Sequence, residues 1–382
     1  MKSRLVIVQP YVPTYRKPFF ERLIARLALD GIECIVVAGE PEGGQARRGD
    51  SIDAPWLVRV KQRKLRLGGR HIGLGGSRKE WKTADAVIVG LLGSSIDTYL
   101  ALLSARHGPL RVGVWGHIKD YVSNPHPLDA ALERWQLRLA DHVFAYTPGG
   151  TEYAEAVGVG SEHITTVMNT IDSTTLVLAH ESVDTQAVLR FAQEHDVTVG
   201  KTLAFMGGLD ESKRVTFIAG VLDELWDIDP EIRLLVAGEG VQKDALQAAA
   251  TRGQAIMLGY APAGVKALMG NVSTALLMPG RIGLVAVDAL ILQLPVLTTS
   301  WRFHAPEAEY LKEGVSRITL TDEPIQFALE ASDFLKMAAA NKNVDSNEWR
   351  YPTLDAMVEN YANGAIAMMR RSRAVKSSKS KR

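Results

Sequence analysis

The sequence has very little cysteine and lacks any long apolar segment. Its single cysteine, Cys34, lies in an apolar run over residues 32–37, which excludes a disulfide framework and places the thiol in a predicted core. No apolar run approaches the roughly 18 residues that a membrane-spanning helix needs. The first residues also lack the apolar region and cleavage site of a signal peptide. We therefore expect a cytoplasmic protein, at most peripheral on the inner face of the membrane.

An excess of charge of one sign is missing as well. Lysine and arginine total 44 and aspartate and glutamate 43, giving a net charge of +1. A dedicated nucleic-acid-binding protein normally has a strong basic field, so a nucleic-acid partner is not expected. No cysteine and histidine cluster has metal-ligand spacing. The first predicted strand leads into Gln9-Pro-Tyr-Val-Pro13 rather than a Gly-x-Gly-x-x-Gly turn, which argues against a dinucleotide cofactor. We expect no cofactor and metal-independent chemistry.

Apolar runs bounded by turn residues alternate with amphipathic segments along the chain. The pattern predicts a helix over 18–30 and strands over 5–9, 32–38, 84–90, 112–115 and 142–146. A second alternation of the same kind begins at Thr202. Such βαβ alternation predicts an α/β fold with two Rossmann-like, doubly wound parallel-sheet domains facing across a cleft. Ligands of these sheets bind at the carboxyl ends of the strands.

The same pattern predicts the domain boundaries. We expect the first domain over residues 1–172, a linker containing a helix over 173–200, and the second domain over 201–350. A terminal helix over 351–371 and a basic disordered tail over 372–382 follow.

Four features follow one another in the second half, over about 110 residues. They are a strand with the turn Gly207-Gly208 and then Lys213, a strand ending in Gly238-Glu239-Gly240, a turn ending in Tyr260, and a turn leading into Gly283-Leu284-Val285 and Asp288. A helix that begins at Gly283 exposes backbone N–H groups and the positive end of its dipole, which suits a diphosphate. Asp288, about five residues further on, can then reach a ribose.

Together these features resemble the nucleotide-sugar-binding domain of GT-B glycosyltransferases, specifically glycosyltransferase family 4 (glycosyl transferases group 1). The first half resembles the family more loosely, through Trp115-Gly-His117, Ala140-Asp141, Tyr146-Thr147 and Asn169-Thr-Ile-Asp172. The resemblance implies a GT-B fold whose terminal helix crosses back onto the first domain. It also implies a UDP- or GDP-linked sugar as the donor substrate.

The resemblance further implies roles for individual residues. Lys213 is expected to be catalytic, because its charge would meet the diphosphate of the leaving group. Donor contacts are expected from Gly207, Gly208, Lys213, Glu239, Tyr260, Gly283, Leu284, Val285, Asp288 and Glu307. For Glu239 and Tyr260, helix capping and plain packing are the alternatives. Arg214 is expected to face solvent.

Two positions depart from the family pattern. Gly208 stands where an arginine usually helps the lysine to bind phosphate, and Gly280 stands where an acid usually holds the donor sugar. Arg281 is a candidate replacement for the arginine. Glu307 or His304, just after the next strand, is a candidate replacement for the acid. Alternatively, both belong to a loop that caps a helix starting near Pro306.

Three residues of the first half are candidates for the acceptor side. His117 follows a predicted strand at its carboxyl end, and by resemblance it is expected to be catalytic. Tyr15 and Arg16 follow the first strand, and Arg16 is a candidate ligand for an acceptor phosphate. A structural histidine and a surface arginine are the alternatives.

Two segments are strongly basic. Residues 59–79 contain eight lysines and arginines and no acid, and the tail from Arg370 to Arg382 contains seven more. Solvated segments are one explanation. The other is peripheral contact with anionic lipid, where each charge contributes roughly 1 kcal/mol.

The sequence therefore predicts a glycosyltransferase of glycoconjugate or cell-surface polysaccharide synthesis, which moves a sugar from a nucleotide diphosphate sugar to a glycan or lipid-linked acceptor. Retention of anomeric configuration is implied by resemblance. The departures at Gly208 and Gly280 keep open a non-catalytic subunit that binds nucleotide sugars. A nucleotide-sugar epimerase of the same shape is the third hypothesis.

Overall fold

The structure is a computed structural model that describes residues 3–41, 51–61, 63–67, 70–121, 127–340 and 346–371. The described chain forms two compact units. The first unit contains residues 1–119, 125–168 and 355–382, and the second contains residues 120–124 and 169–354. The predicted tail over 372–382 lies outside the described residues.

The first unit is built on a seven-stranded parallel sheet. Its helices are α1 (Lys17–Leu29), α2 (Arg78–Trp81), α3 (Ile96–His107), α4 (Pro127–Leu139) and α5 (Pro148–Ala156). Its strands are β1 (Ser3–Gln9), β2 (Ile32–Ala38), β3 (Leu57–Arg59), β4 (Arg63–Leu67), β5 (Arg70–Leu74), β6 (Ala86–Gly90), β7 (Arg111–Gly116), β8 (His142–Ala145) and β9 (Ile164–Thr166). The sheet order is β3-β2-β1-β6-β7-β8-β9, so the direction of strand addition reverses between β1 and β6.

The predicted strands of this unit are confirmed, because short apolar runs buried on both faces are typical of parallel sheets. For the basic segment over 59–79, a solvated segment was one of the two explanations. Instead, β4 and β5 pair as an antiparallel hairpin with Leu65 opposite Ile72 and Arg66 opposite His71.

The terminal helix, Leu354–Arg370, belongs almost entirely to the first unit. It packs against α1 through ion pairs from Arg22 to Asp355 and from Arg26 to Glu359, at 2.7 and 2.8 Å. The Tyr361 ring lies in the core and stacks on Phe144 at 4.7 Å. The helix thus supplies part of the core of this unit.

The second unit is built on a six-stranded parallel sheet in the order β12-β11-β10-β13-β14-β15. Its strands are β10 (Thr202–Met206), β11 (Arg233–Ala237), β12 (Ala255–Gly259), β13 (Ala275–Leu277), β14 (Val296–Thr299) and β15 (Arg317–Leu320). Its helices are α6 (Thr174–Glu181), α7 (Thr185–Glu194), α8 (Val215–Ile228), α9 (Gln247–Thr251), α10 (Ala263–Val272), α11 (Val285–Ile291) and α12 (Pro324–Ala340). The residues predicted as a linker thus form α6 and α7 of this unit.

The described 3₁₀ helices connect these elements; they are Thr14–Arg16, Ser161–His163, Glu211–Lys213, Lys243–Leu246, Pro306–Tyr310 and Ser346–Trp349. Two parallel sheets with interleaved helices confirm the predicted α/β class. Among the described helices, none is both long enough and apolar enough to span a membrane.

Candidate functional site

The order of the second sheet determines where its ligand site lies. The strands β10 and β13 are neighbours, and the sheet grows outward from this pair in opposite directions. The loops after β10 and β13 therefore diverge and leave a crevice at the carboxyl ends of the strands. Those two loops are residues 207–214 and 278–284, which include five of the ten predicted donor residues. The crevice is the candidate site.

The two loops of the crevice are joined by main-chain contacts. The Arg281 amide donates to the Ser212 carbonyl at 2.8 Å. A Cβ at Gly280 would lie 2.5 Å from the carbonyl carbon of Lys213 and 2.6 Å from the Ser212 oxygen. Only glycine fits at position 280, because the main chain of the turn over 279–281 lies directly against the main chain of the 3₁₀ turn Glu211–Lys213. This contact is called the closed turn. The position of the usual family acid is therefore filled by backbone.

Arg214 also stabilises the contact between these two loops. It has a left-handed backbone with φ of 55°. Its side chain donates to Thr299 Oγ1 at 3.0 Å and pairs with Asp322 at 2.6 Å. Thr299 in turn donates to the Pro279 carbonyl at 3.0 Å. The prediction that Arg214 faces solvent is wrong, because its side chain is drawn inward by Asp322 and Thr299.

Lys213 is a half-buried cation of the crevice. Its Nζ donates to the Arg281 carbonyl. The pKa of Lys213 is lowered to about 8, mainly by desolvation and also by the nearby charge of Arg281, while Asp210 and Glu307 oppose the shift. At pH 7 the ammonium group therefore keeps its proton in a poorly hydrated place. A charge of this kind interacts strongly with an anion that enters the crevice.

His304 holds the closed turn from the other side. The Ile282 amide donates to His304 Nδ1 at 3.2 Å, which leaves Nε2 as the protonated nitrogen, 3.3 Å from the Thr299 carbonyl. Burial lowers the pKa of His304 to about 4, so the ring is neutral at pH 7. A neutral ring held at both nitrogens is suited to positioning the turn, whereas a contact with the sugar remains a hypothesis.

Glu307 is buried in the 3₁₀ helix Pro306–Tyr310 and accepts a hydrogen bond from the Asn169 side-chain amide. The Asn169 carbonyl accepts from the Tyr310 hydroxyl at 2.9 Å. Glu307 also acts electrostatically on Lys213. The structure thus places a buried carboxylate in the electrostatic environment of the lysine. Its contact with a sugar stays a prediction.

The glycine turn after β10 is bonded to the glycine turn after β11. The Gly207 amide donates to the Ala237 carbonyl and the Leu209 amide to the Glu239 carbonyl, both at 3.0 Å. Gly207 has a φ of +144°, which a residue with a side chain rarely adopts. A Cβ at Gly238 would lie 1.9 Å from the Gly207 oxygen. Gly208 differs, because a Cβ there would meet its nearest atom, Asp210 Oδ2, at 3.4 Å.

Glu239 and Tyr260 lie at the outer end of the same side of the sheet. Glu239 pairs with Lys243 at 3.1 Å and keeps more than half of its side chain in solvent. The Tyr260 residue is 88% exposed. Neither is buried by the protein, so both are accessible to a ligand. Their predicted contact with the nucleotide stays a prediction.

Gly283, Leu284 and Val285 form the start of α11, where the Ala286 amide donates to the Gly283 carbonyl at 2.9 Å. Asp288 is buried one turn further on and pairs with Lys266 on α10 at 2.7 Å. Sequence reasoning missed Lys266, since the contact joins two helices and has no local signal. The ion pair holds the Asp288 carboxylate in place near the predicted ribose position.

The three candidates of the first unit share a group of rings. The Arg16 guanidinium carbon lies 5.3, 5.7 and 5.6 Å from the ring centres of Tyr15, Trp115 and Tyr146. The His117 ring lies 5.0 Å from Tyr146. Arg16 is buried, so its charge is held by stacking rather than displayed on the surface. Acceptor binding by Tyr15 and Arg16 and catalysis by His117 remain predictions.

Among the described residues, no group of three or more histidine, cysteine, aspartate or glutamate side chains is placed to share a metal ion.

Comparison with known proteins identifies the type of protein. Residues 200–337 match the family described as "Glycosyl transferases group 1". A glycosyltransferase from Rickettsia africae superimposes with a TM-score of 0.66 at 9% identity, over 97% of this chain and all of that one. The chain has the GT-B fold, and its residues 200–337 are similar to the glycosyl transferases group 1.

Two further structures share the GT-B fold. The Anabaena protein HepE in complex with UDP gives a TM-score of 0.61 at 13% identity, over 96% of this chain and 100% of that one. A putative UDP-N-acetylglucosamine 2-epimerase from Listeria monocytogenes gives 0.58 at 14% identity, over 96% of each chain. At these identities the likeness establishes the fold. No curated protein sequence matches this GT-B chain.

Proposed function

We propose that the protein is a glycosyltransferase that moves a sugar from a nucleoside diphosphate sugar to a glycan or lipid-linked acceptor. The main support is Lys213, a half-buried and partly desolvated cation at the point where strand order reverses, in the segment that matches the glycosyl transferases group 1. A protonated amine that has lost much of its hydration is placed to stabilise charge that develops on a diphosphate leaving group. We further propose that the protein works in the cytoplasm.

The proposed reaction breaks the bond between the anomeric carbon and the diphosphate oxygen. A bond forms between the same carbon and the acceptor oxygen, on the same face of the sugar. The acceptor hydroxyl proton passes to the departing phosphate oxygen, so no protein nucleophile is needed and the configuration is retained. In this scheme Lys213 and the amides of the turns at 207–208 and 283–285 bind the phosphates.

The other predicted residues are assigned to the remaining parts of the substrates. Asp288 binds the ribose and Lys266 orients it. Glu307 takes the sugar hydroxyls in place of an acid at 280, because that position is closed by backbone. Glu239 and Tyr260 meet the base. In the first unit, His117 contacts the reacting sugar, and Tyr15 and Arg16 contact the acceptor.

A thermal unfolding titration tests the donor site. UDP, GDP, ADP and their common sugar conjugates are added to the full chain without metal and again with magnesium. A ligand at 100 times its dissociation constant adds about 2.7 kcal/mol of stability, which shifts the transition clearly. UDP is the first choice, since the solved structure of HepE holds it. A shift with one base supports the proposal, and no shift with any base contradicts it.

The closed turn at Gly280 also favours a second candidate, a subunit that binds nucleotide sugars without turnover, because the usual sugar-binding acid has no room there. Incubation with the donor that shifts the transition, with and without a glycan acceptor, separates the two. Release of nucleoside diphosphate supports the transferase. A changed sugar without release of nucleotide identifies an epimerase instead.

A further inference from the structure

The outer surface of α3 and α4 in the first unit exposes several large apolar side chains. Leu92, Leu103, Leu128 and Trp135 are 42, 44, 48 and 39% exposed. The Tyr99 ring lies 5.9 Å from the Trp135 ring, which links the two helices. These five residues are named the α3–α4 face. Contiguous exposed apolar surface of this kind marks an interaction site more often than scattered single residues do.

The spacing on α4 shows that the exposed apolar residues form one stripe. The exposed positions Leu128, Ala131, Trp135 and Arg138 are three, four and three residues apart. This is the spacing of a single helix face. That face points away from the core, where Gln136 and Leu137 are buried. The outward stripe is therefore apolar with a cation at its end.

Two acidic groups near the α3–α4 face are bonded within the protein. Glu133 accepts a hydrogen bond from the Gly93 amide at 3.0 Å. Asp97, in the first turn of α3, is buried and accepts from the Ser77 amide at 3.1 Å. Asp129, beside Leu128, is half-buried, whereas Arg106 and His107 at the end of α3 are exposed. The exposed charge at the end of α3 is therefore basic.

The basic hairpin β4–β5 is attached to the same surface. The Gly73 amide of β5 donates to the Ser94 carbonyl at 2.9 Å, and the loop over 92–95 is in turn bonded to α4, because Gln136 donates to the Leu92 carbonyl at 2.9 Å. The hairpin and its flanks contain the basic residues Lys61, Arg63, Lys64, Arg66, Arg70, Arg78 and Lys79. Between 59 and 79 the sequence contains no acid.

We propose that the α3–α4 face and the adjacent hairpin bind the surface of an anionic lipid bilayer. Exposed leucines beside a tryptophan and a tyrosine insert at the boundary between head groups and acyl chains. Lysines and arginines around them are attracted to anionic head groups. The proposal rests on the proposed function in one respect, since a lipid-linked acceptor would be met at such a surface. Lipid binding itself requires no turnover.

Cosedimentation with sucrose-loaded vesicles tests the proposal. The full chain is mixed with vesicles of phosphatidylglycerol and phosphatidylcholine, and separately with phosphatidylcholine vesicles. We expect pelleting with the anionic vesicles that weakens as salt is raised. The double variant Leu128→Ser, Trp135→Ser should bind at least about tenfold more weakly, because it loses apolar area that would be buried. Undiminished binding of this variant would overturn the role of the face.

A matched control uses apolar residues of the second unit. Leu178 and Leu189 are 60 and 55% exposed, so Leu178→Ser, Leu189→Ser removes similar area at another place and should bind as the unchanged chain does. Lys64→Gln, Arg66→Gln should weaken binding about fivefold per charge removed. The tail is kept in every variant.

Two further readouts separate the alternatives. An unchanged unfolding temperature and circular dichroism spectrum show that the Leu128 and Trp135 variant is folded, including its first unit. Lys213→Met tests the proposed function without touching this surface, so it should lose turnover and keep vesicle binding. Absence of pelleting by the unchanged chain would overturn the proposal. Self-association that the Leu128 and Trp135 variant abolishes, without vesicle binding, would assign the surface to a second copy of the chain.

Discussion

Gly208 and Gly280 both stand where the resembling family has a charged side chain, but their surroundings differ. A Cβ at 208 would meet Asp210 Oδ2 at 3.4 Å and the Glu239 carbonyl at 3.9 Å, which are ordinary contacts. A Cβ at 280 would lie 2.5 Å from main-chain atoms of Lys213. The turn at 208 has room for a side chain, whereas the turn at 280 is closed by backbone. Gly208 therefore leaves out a charged group that would fit, whereas Gly280 is needed for the main-chain contact between the two loops.

Both turns meet at Lys213, so the largest effect is expected there. Lys213→Met keeps most of the volume but removes the charge, and we expect turnover of the donor to fall about 10²- to 10³-fold. Turnover of the unchanged chain should also decline above pH 8, where the amine loses its proton. Single-turnover rates measure both effects. Lys336→Met, at an exposed lysine of the same unit, is the control. If the turnover rate of Lys213→Met lies within threefold of that of the unchanged chain, turnover does not depend on the charge of Lys213.

The closed turn should become less stable in acid, because His304 Nδ1 accepts a hydrogen bond from the Ile282 amide only when it carries no proton. The folded pKa of His304 is about 4 against an ordinary 6.5, so the unfolded chain takes up the proton first as pH falls. The contribution of neutral His304 to the free energy of unfolding is therefore fully present above about pH 6.5, and it is lost progressively as the pH falls to about 4. The loss is at most about 3 kcal/mol.

Thermal unfolding between pH 4 and 7 measures this loss. His304→Gln should flatten part of the pH dependence. His142 in the first unit also has a pKa lowered to about 4 by burial, so His142→Gln is the matched comparison and should remove a separate part. An unchanged slope in His304→Gln would contradict the role of the ring in holding the turn.

Adding a side chain to the closed turn should destabilise the second unit. Gly280→Ala places a methyl group against main-chain atoms that cannot rotate away, and overpacking of this kind costs about 1–3 kcal/mol. Gly283→Ala is the neighbouring control, since its nearest contact would be Ala305 Cβ at 3.7 Å. Denaturant unfolding of the two variants gives the difference. Equal stability of both would show that the turn opens readily.

A side chain added at Gly208, where the turn has room, should have the smallest of these effects, and it should strengthen a property of the site where the other changes weaken one. Gly208→Arg adds a cation where the family usually has one, and we expect UDP to bind about three- to tenfold more tightly. Gly208→Gln, with a similar length and no charge, should leave the affinity unchanged. Isothermal titration at low and high salt measures both, and the gain should shrink as salt is raised. An equal gain with glutamine would assign it to packing.

The parallel sheets were predictable because each central strand is a short, continuous apolar run between turn residues. The bounds of β2 were predicted correctly, since Gly31 and Gly39 flank the run. The hairpin of β4 and β5 was not predicted, because Arg63, Lys64, Arg66 and Arg70 hide the period-2 pattern among charges. A strand rich in basic residues looks like solvated chain in the sequence.

The sequence predicts where the loops of the site lie in the fold, but it does not predict which residues of these loops contact one another. The glycine turns and Lys213 follow strands whose ends a parallel sheet must bring together. The closure of Gly280 on Lys213 joins segments far apart in the sequence, and neither segment has a pattern that reveals it. The same holds for Arg214, whose partner Asp322 comes just after the last strand. Sequence patterns indicate which loops converge, whereas their mutual contacts depend on backbone geometry.

The bonding of the two glycine turns has a consequence for engineering. Gly207, Gly238 and Gly240 tolerate no side chain, since a Cβ at 238 or 240 would lie 1.9 or 2.2 Å from a backbone oxygen. Glu239 lies between Gly238 and Gly240, and its side chain extends into solvent. Randomising 239 together with 260 therefore samples new surface chemistry on a rigid backbone. A library limited to these two codons should contain mostly folded proteins, and selecting it on nucleotide resins would show how far base preference can be changed without redesigning the scaffold.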